Sequence, residues 1–215
     1  MHIAIIGASG RTGVHVVRRA LAKGHQVTAF ARTPGKISQS HDSLEVRQLD
    51  LTTTAAETTL AESLSGVDAL ISALGPDTAG KPVVMGIAAE RLIHAARYAG
   101  VKRIVWMTGA GVKFPDDKPS AIRSIVRGIM KLVAGEVLRD SELAAHTIAD
   151  SDLDWTIVRA PMLNDEPASG TLTGSDNPPK PMALSRDGIA AFMLDCVEQK
   201  MFIHSAPFLS QGASK

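Results

Sequence analysis

The residues best placed to do chemistry in this chain are three glycines near its N-terminus. Gly7, Gly10 and Gly13 repeat at three-residue intervals, directly after the apolar run 3–6 and directly before residues 14–23, whose apolar positions recur at helical spacing. Glycines at a turn from strand to helix let the backbone approach a diphosphate closely. The helix behind them offers unpaired N–H groups and the positive end of a dipole. The pattern therefore favours a dinucleotide-binding turn over a tight structural turn that holds no ligand.

The charge distribution around this turn favours a cofactor with an additional phosphate. Residues 1–41 contain six lysines and arginines and no Asp or Glu. Sites that select NAD usually hold the ribose 2′-hydroxyl with an acid that follows the second strand, whereas this chain has Arg32 there, followed by Thr33 and Lys36. The Arg32 guanidinium can form paired charge-assisted bonds to a 2′-phosphate, with Arg11 meeting the same phosphate from the other side. The alternative is that Arg32 stacks on the adenine and does not contact the phosphate. We predict that the cofactor is NADP.

The elements that must position these residues alternate between strand and helix patterns. Strands are predicted at 3–6, 26–31, 44–49, 67–74, 103–108 and 154–159, with a final edge strand at 201–209, and segments 160–170 and 174–181 are predicted to be irregular. Helices are predicted at 14–23, 54–64, 82–99, 120–133, 136–149 and 185–198, with a capping box at Thr54, Pro82 as a first helical residue and Ser185 as a cap. This order predicts a single-domain α/β fold, a doubly wound parallel sheet with helices on both faces. Ligands bind such sheets at the C-terminal ends of the strands.

Composition limits the classes of function. The chain has 215 residues, a net charge of +1, 4% aromatic residues and one cysteine. The near-neutral charge and the absence of basic segments interleaved with aromatics argue against nucleic acid. No apolar run approaches the roughly 18 residues of a membrane span, and the scattered histidines suggest no metal site. The first strand begins at once, which leaves no room for a signal peptide. We therefore expect a cytoplasmic protein with no membrane partner.

Seven segments of the chain resemble one group of known proteins. They are 3–13, 27–32, 48–52, 69–75, 101–109, 151–163 and 185–197, and the most specific is S-x-L-x-W-T-I-V-R-A-P at 151–161. On these residues the chain resembles the atypical short-chain dehydrogenase/reductases, in particular the flavin reductase, biliverdin reductase B-like and NmrA-like NAD(P)-binding proteins. The resemblance covers nearly the whole chain and implies a Rossmann-like fold.

The resemblance also implies roles for individual residues. The diphosphate and the nearby phosphate would be held by Gly7, Ser9, Gly10, Arg11, Thr12 and Gly13. Arg32 would face the adenosine ribose, Asp50 and Leu51 would flank the adenine, Leu74 and Gly75 would lie along the middle of the cofactor, and Thr108, Pro161 and Met162 would line the nicotinamide end, with Thr108 as the candidate catalytic contact. Two positions depart from the flavin reductase pattern: Gly109 stands where a serine is expected, and Met162 stands where a histidine is expected.

One motif in the chain imitates a catalytic pair. Tyr98 and Lys102 have the Y-x-x-x-K spacing of conventional short-chain reductases, in which the ammonium group lowers the pKa of the phenol that donates a proton. In those enzymes the pair lies on a helix after the fifth strand. Here Tyr98 precedes that strand and Gly100 interrupts the helix, so we interpret Tyr98 as structural. His146, the histidine between strands five and six, is interpreted as a surface or capping residue rather than a proton donor.

These observations predict an NADPH-dependent reductase that acts on a small, flat acceptor of flavin, quinone or tetrapyrrole type. The acceptor class follows from the resemblance, and a flat acceptor fits the lack of a catalytic tyrosine. The predicted acceptor pocket consists of Val112, Phe114, Pro115, Met162 and Leu163. The alternative is an NmrA-like protein that senses NADP(H) without turnover and binds a partner through Arg123, Arg127 and Lys131, which share one helix face. We expect a monomer or a small homo-oligomer.

Overall fold

The structure is a computed structural model that describes residues 1–75, 85–118, 121–168, 170–177 and 183–212, with the backbone alone for most of 121–133. The strands are β1 His2–Ile6, β2 Gln26–Ala31, β3 Leu44–Gln48, β4 Ala69–Ser72, β5 Arg103–Gly109, β6 Asp154–Ala160, β7 Met162–Asn164, β8 Leu172–Ser175, β9 Ala183–Ser185 and β10 Phe208–Gln211. The helices are α1 Gly13–Ala22, α2 Ala56–Ser63, α3 Met85–Ala99, α4 Ala121–Ala149 and α5 Arg186–Glu198, and a short 3-10 helix covers Pro34–Lys36.

Eight of these strands form one sheet in the order β3-β2-β1-β4-β5-β6-β10-β8. Every pairing in it is parallel except that of the edge strand β8 with β10. The predicted fold, a single-domain α/β protein with a doubly wound parallel sheet, is confirmed. The strand order reverses between β1 and β4, and in sheets of this kind the crevice at that point is where ligands bind.

Alternate residues of β1 face two different hydrophobic cores. Ile3 and Ile5 pack with α1 and α5 on one face of the sheet, and Ala4 and Ile6 pack with α2, α3 and α4 on the other. Strands buried on both faces read as continuous apolar runs, which explains why β1 shows no alternation in the sequence. The helices α3 and α4 on the second face approach closely at Gly86, where a β-carbon would lie 2.8 Å from the Leu143 side chain of α4.

The C-terminal segment differs from the prediction. Residues 201–209 were expected to form an edge strand, but β10 begins only at Phe208, and it lies inside the sheet between β6 and β8. The preceding turn is held by two buried donors. Thr156 Oγ1 donates to the carbonyl oxygen of Phe202 at 2.9 Å, and Arg103 Nη2 donates to that of Met201 at 3.1 Å. These side-chain bonds supplement main-chain bonds to β6, such as Ile157 N–H to the Ser205 carbonyl oxygen at 3.0 Å, and the pattern of apolar residues gave no sign of them.

Several local predictions also needed correction. Of the segments predicted to be irregular, 160–170 contains β7, and 174–181 includes the last two residues of β8. Thr54 does not cap α2, which begins at Ala56 without a side-chain cap. Ser185 does precede α5, but its hydroxyl donates to the Glu166 carbonyl oxygen at 2.6 Å and not to the helix. By contrast, the prediction of two helices at 120–133 and 136–149 is confirmed, because α4 consists of two helices separated at Ala134, where φ is −146°. Pro82 lies outside the described residues.

Three structural observations concern the single cysteine, metal binding and membrane spans, which the composition had also addressed. Cys196 is fully buried, and burial raises the pKa of its thiol to about 12, so it is not a nucleophile near neutral pH. Within the described ranges no group of three or more His, Cys, Asp or Glu side chains could hold a metal ion. No helix in that part of the chain is long and apolar enough to cross a membrane.

A charged contact joins α1 to α5 and leads to a prediction about pH. Asp187 accepts hydrogen bonds from Arg19 Nε and Nη2 at 2.7 and 2.6 Å and from Arg18 Nη2 at 2.6 Å. The bonds to Arg19, above all, lower the pKa of Asp187 to about 2 from its ordinary 3.8. A carboxylate whose pKa is lowered in the folded state stabilises the fold above its ordinary pKa, and this contribution is lost as the pH falls through 3.8 toward 2.

We therefore expect wild type to be more stable than Asp187→Asn by about 1 kcal/mol at neutral pH, after allowance for screening by solvent. The difference should disappear near pH 2. Urea unfolding at a series of pH values measures it, and Asp42→Asn, at an exposed loop position, is the control. A difference that stays constant down to pH 2 would contradict the assignment.

Candidate functional site

A cleft of about 610 Å³ opens where the strand order reverses, at the C-terminal ends of β1, β2 and β4. The residues that line it are Ile6, Gly7, Ser9, Gly10, Arg11, Thr12, Phe30, Ala31, Arg32, Thr33, Lys36, Leu49, Leu51, Ala73, Leu74, Gly75, Met85, Met107, Val137, Asp140, Leu163 and Arg186. This volume is in the range of clefts that bind small molecules and cofactors.

The glycine turn forms the part of the cleft between β1 and α1. Gly7 has a φ of +75°, and a β-carbon on it would lie 3.1 Å from the main-chain nitrogen of Leu74. A β-carbon on Gly13 would lie 2.1 Å from the carbonyl oxygen of Gly7, and Gly10 N–H donates to that same oxygen at 2.9 Å. The glycines are thus required for a turn tight enough to place the N-terminus of α1 directly after β1, where the Val14 N–H group donates to the Gly10 carbonyl oxygen at 3.1 Å.

One end of the cleft carries positive charge. Arg32 and Lys36 line it, and both are exposed. Asp50, which follows β3, does not line the cleft. Its Oδ1 atom accepts hydrogen bonds from the hydroxyl and the N–H group of Thr52 at 2.7 and 2.9 Å. These bonds, helped by the nearby Arg32 charge, lower the pKa of Asp50. No carboxylate among the described lining residues follows β2 at this end.

The other end of the cleft is mainly apolar. Met85, Met107, Val137 and Leu163 line it. Asp140, the one carboxylate among the described lining residues, accepts hydrogen bonds from the N–H groups of Met85 and Gly86, both at 3.0 Å. These groups open α3, where a negative charge is favoured by the helix dipole. Asp140 therefore serves to fix α3 against α4.

Two arginines of the cleft share one carboxylate. Arg11 Nη2 donates to Asp165 Oδ2 at 2.8 Å, and Arg186 Nη1 donates to Asp165 Oδ1 at 2.6 Å. The hydrogen bond from Arg11, followed by that from Arg186, lowers the pKa of Asp165. This contact connects the glycine turn to the segment after β7 and to the start of α5.

A comparison with known protein families identifies the chain. The family described as NAD(P)H-binding matches residues 7–200. The chain belongs to this NAD(P)H-binding family. The match begins at the first glycine of the turn and includes every lining residue of the cleft except Ile6, and the family indicates a nicotinamide cofactor.

Two solved structures share the fold, and one curated protein is similar in sequence. The oxidoreductase ylbE from Lactococcus lactis is 22% identical with a TM-score of 0.80, over 100% of this chain and 92% of that one. ChuY, an anaerobillin reductase from Escherichia coli O157:H7, is 20% identical with a TM-score of 0.80, over 100% and 99% of the two chains. The uncharacterized protein YwnB from Bacillus subtilis is 32% identical over 54% of this chain and 51% of its own. The chain spans 51% to 61% of the length of its curated relatives.

Most of the residues proposed to hold the cofactor line the cleft of this NAD(P)H-binding protein. They are Gly7, Ser9, Gly10, Arg11, Thr12, Arg32, Leu51, Leu74 and Gly75. Arg11 is directed to Asp165, so the structure shows it on the β7 side of the cleft. Whether each of these residues contacts a cofactor stays a prediction.

Five of the predicted site residues do not line the cleft: Gly13, Asp50, Thr108, Pro161 and Met162. Met162 is 68% exposed, and it is the next residue, Leu163, that lines the cleft. Thr108 is buried, and its hydroxyl has no hydrogen-bond partner among the described residues. Its candidate catalytic role therefore has no contact in the cleft to support it.

The predicted acceptor pocket is also largely absent from the cleft, since Leu163 is its one member among the lining residues. Val112 is buried in the core, and Phe114 packs against the ring of His146 with 5.0 Å between the centroids. Tyr98 is 82% exposed and lies outside the cleft lining. The side chains of Arg123, Arg127 and Lys131 lie outside the described part of the chain.

Sequence reasoning missed Arg186 and Asp140. Arg186 follows β9, a strand of three residues that the pattern of apolar residues did not predict. Asp140 lies in the middle of α4, where the sequence alone favours interpreting an acidic residue as part of a solvent-exposed helix face. The available signal for Arg186 was its position after Ser185, at the start of an apolar helix, where an arginine is not favoured by the helix dipole.

Proposed function

We propose that this protein is an NADPH-dependent reductase that transfers a hydride to a small, flat acceptor of flavin, quinone or tetrapyrrole type. The observation that carries the proposal is the cleft at the reversal of strand order, with a glycine turn at its centre and Arg32 and Lys36 at one end. A diphosphate fits the N-terminus of α1, and a 2′-phosphate fits the cationic end. The nicotinamide ring supplies the hydride when the cofactor is bound.

The protein's own contribution is to bind, to orient and to exclude water. The glycine turn would let a diphosphate approach the N-terminus of α1 closely. Leu51 offers an apolar contact for the adenine, and Leu163 with Met107 forms an apolar wall at the opposite end. Apolar surroundings at that end favour a neutral, planar acceptor group. None of the described lining residues is a tyrosine, histidine or cysteine. A flat acceptor is compatible with this set, because its reduced form can take protons from water.

The names of similar proteins agree with this choice without deciding the acceptor. ChuY, whose fold this chain shares at a TM-score of 0.80, is an anaerobillin reductase, which favours a tetrapyrrole as one candidate. Purified protein with NADPH should therefore be assayed against a flavin, a quinone and a linear tetrapyrrole. The proposal predicts oxidation of NADPH with at least one of them, and no oxidation above background with any would overturn it.

Cofactor choice gives the sharper prediction. A charge-assisted hydrogen bond contributes about 1.5–3 kcal/mol, which corresponds to roughly tenfold to somewhat over a hundredfold in Kd. We expect NADPH to bind at least about tenfold more tightly than NADH, and Arg32→Ala to remove most of the difference. Because Arg32 is exposed, added salt should reduce the preference.

Calorimetric titration of both cofactors measures this effect. Arg97→Ala is the matched control, since it removes the same charge from a surface arginine outside the cleft lining that pairs with Asp152 at 2.8 Å. The control should leave the preference intact. Equal affinities for NADPH and NADH in wild type would contradict the role of Arg32, even if the protein proves to be a reductase.

A further inference from the structure

The contact between Arg11, Asp165 and Arg186 joins two positively charged side chains to a single carboxylate. Two guanidinium groups that line the cleft share one carboxylate, at 2.8 and 2.6 Å. The side chain of Arg186 is 8% exposed, whereas those of Arg11 and Asp165 are 69% and 62% exposed. A buried guanidinium requires an anionic partner, and here that partner is itself at the surface.

The fold brings these three residues together by strand register. β7 and β9 pair in parallel with Asn164 beside Ser185, so the residues that follow, Asp165 and Arg186, leave the two strands side by side. Arg186 is also the first residue of α5, whose N-terminus adds positive potential. The acid in that first turn, Asp187, is engaged by Arg18 and Arg19 of α1. Asp165 is therefore the carboxylate that balances Arg186.

We propose that Arg11 and Arg186 form a second phosphate-binding arm of the cofactor cleft and that the Asp165 carboxylate competes with the cofactor diphosphate for this arm. Both arginines line the same cleft as the glycine turn, and a diphosphate held at the N-terminus of α1 offers the oxygens that a guanidinium binds in paired fashion. This inference rests on the proposed function, because it assumes that a nicotinamide dinucleotide occupies the cleft.

The competition follows from the chemistry of the three groups. Asp165 is mostly exposed, so a carboxylate displaced from the arginines recovers its hydration at little cost. Arg186 is desolvated and must exchange one anion for another. Removal of the Asp165 charge should therefore strengthen cofactor binding, and removal of the Arg186 charge should weaken it. The diphosphate is common to NADPH and NADH, so both cofactors should be affected to the same extent.

The experiment is calorimetric titration of NADPH and NADH into wild type, Asp165→Asn, Arg186→Met and Arg186→Lys. We expect Asp165→Asn to lower both Kd values at least about threefold and Arg186→Met to raise both about tenfold, with Arg186→Lys in between. Glu166→Gln, which removes the neighbouring exposed carboxylate, should change neither. Thermal unfolding of each variant without cofactor identifies any loss of folded protein, and Asp165→Asn keeps the test usable if Arg186→Met does not fold.

Two results would overturn the inference. If folded Arg186→Met binds both cofactors like wild type, Arg186 does not reach the diphosphate. If Asp165→Asn weakens binding, the carboxylate positions the arginines and does not compete. A change confined to NADPH would assign the arm to the 2′-phosphate and would also overturn the inference as stated. Failure of the proposed function is a separate result, because it would appear as no oxidation of NADPH with any acceptor, whereas the inference is tested by the Kd values of the variants.

Discussion

Gly13→Ala should destabilise the protein by about 3 kcal/mol and abolish measurable binding of NADPH. The new β-carbon would lie 2.1 Å from the Gly7 carbonyl oxygen and 2.8 Å from Ala8 Cα. Both neighbours are main-chain atoms, so the clash can be relieved only if the turn opens. An opened turn moves the N-terminus of α1 away from the position in which it would hold a diphosphate, which is why stability and binding should fall together.

The other glycines provide graded controls. A β-carbon on Gly10 would lie 3.0 Å from the same Gly7 oxygen, and one on Gly35, near the cationic end of the cleft, would meet no atom within 4 Å. Urea unfolding and calorimetric titration should rank the alanine variants as Gly13, then Gly10, then Gly35, with Gly35→Ala close to wild type. A Gly13→Ala protein that unfolds like wild type would show that the turn is looser than the structure describes.

The fold and the phosphate end of the cleft could be predicted because their signals are local in sequence. The glycine turn, the apolar strand before it and Arg32 after β2 each depend on a few consecutive residues, and β2 was predicted with its exact bounds, Gln26–Ala31. A parallel sheet then requires the C-terminal ends of β1, β2 and β4 to meet at one edge. The position of the cleft thus followed from topology alone.

The opposite end of the cleft could not be predicted because its contacts join distant segments. Arg11 reaches Asp165 across 154 positions of sequence, and the register of two three-residue strands decides that Arg186 lies beside it. Short strands carry too few residues to show periodicity. The same limit explains why the cleft is lined by Leu163 and not by the predicted Met162. Side chains alternate along β7, so Leu163 faces the cleft and Met162 faces the solvent.

A buried ion pair behind the apolar end of the cleft gives the prediction with the largest expected effect on stability. Arg159 Nη1 donates to Asp117 Oδ1 at 2.6 Å, and both side chains are 4% exposed. Arg159 Nε donates to the Ala206 carbonyl oxygen at 2.7 Å, and its Cζ atom lies 3.5 Å from the centroid of the Phe208 ring. Asp117 Oδ2 accepts the N–H group of Phe114 at 2.7 Å. The pair therefore fastens the loop after β5 to β6 and β10.

We expect Asp117→Asn and Arg159→Met each to lower the free energy of unfolding by about 3–5 kcal/mol, because each breaks a buried ion pair by removing one of its two members. This exceeds the effect of Asp187→Asn, whose partners are more exposed. The double variant removes both members of the pair, so its loss should be smaller than the sum of the two single losses by at least about 2 kcal/mol. Urea unfolding of the four proteins completes the cycle, and Asp116→Asn, at the exposed neighbouring position, should stay within about 0.5 kcal/mol of wild type.

The same variants test whether the apolar end and the phosphate end of the cleft contribute independently to function. The loop fastened by Asp117 follows β5, next to the apolar end, whereas the glycine turn and Arg32 lie on other elements. Under conditions where Asp117→Asn remains folded, the KM for the acceptor should rise while the Kd for NADPH stays near its wild-type value. Strictly additive losses of stability would show that Arg159 and Asp117 do not depend on each other. A Kd for NADPH that rises as much as the acceptor KM would show that the loop supports the whole cleft and not its apolar end alone.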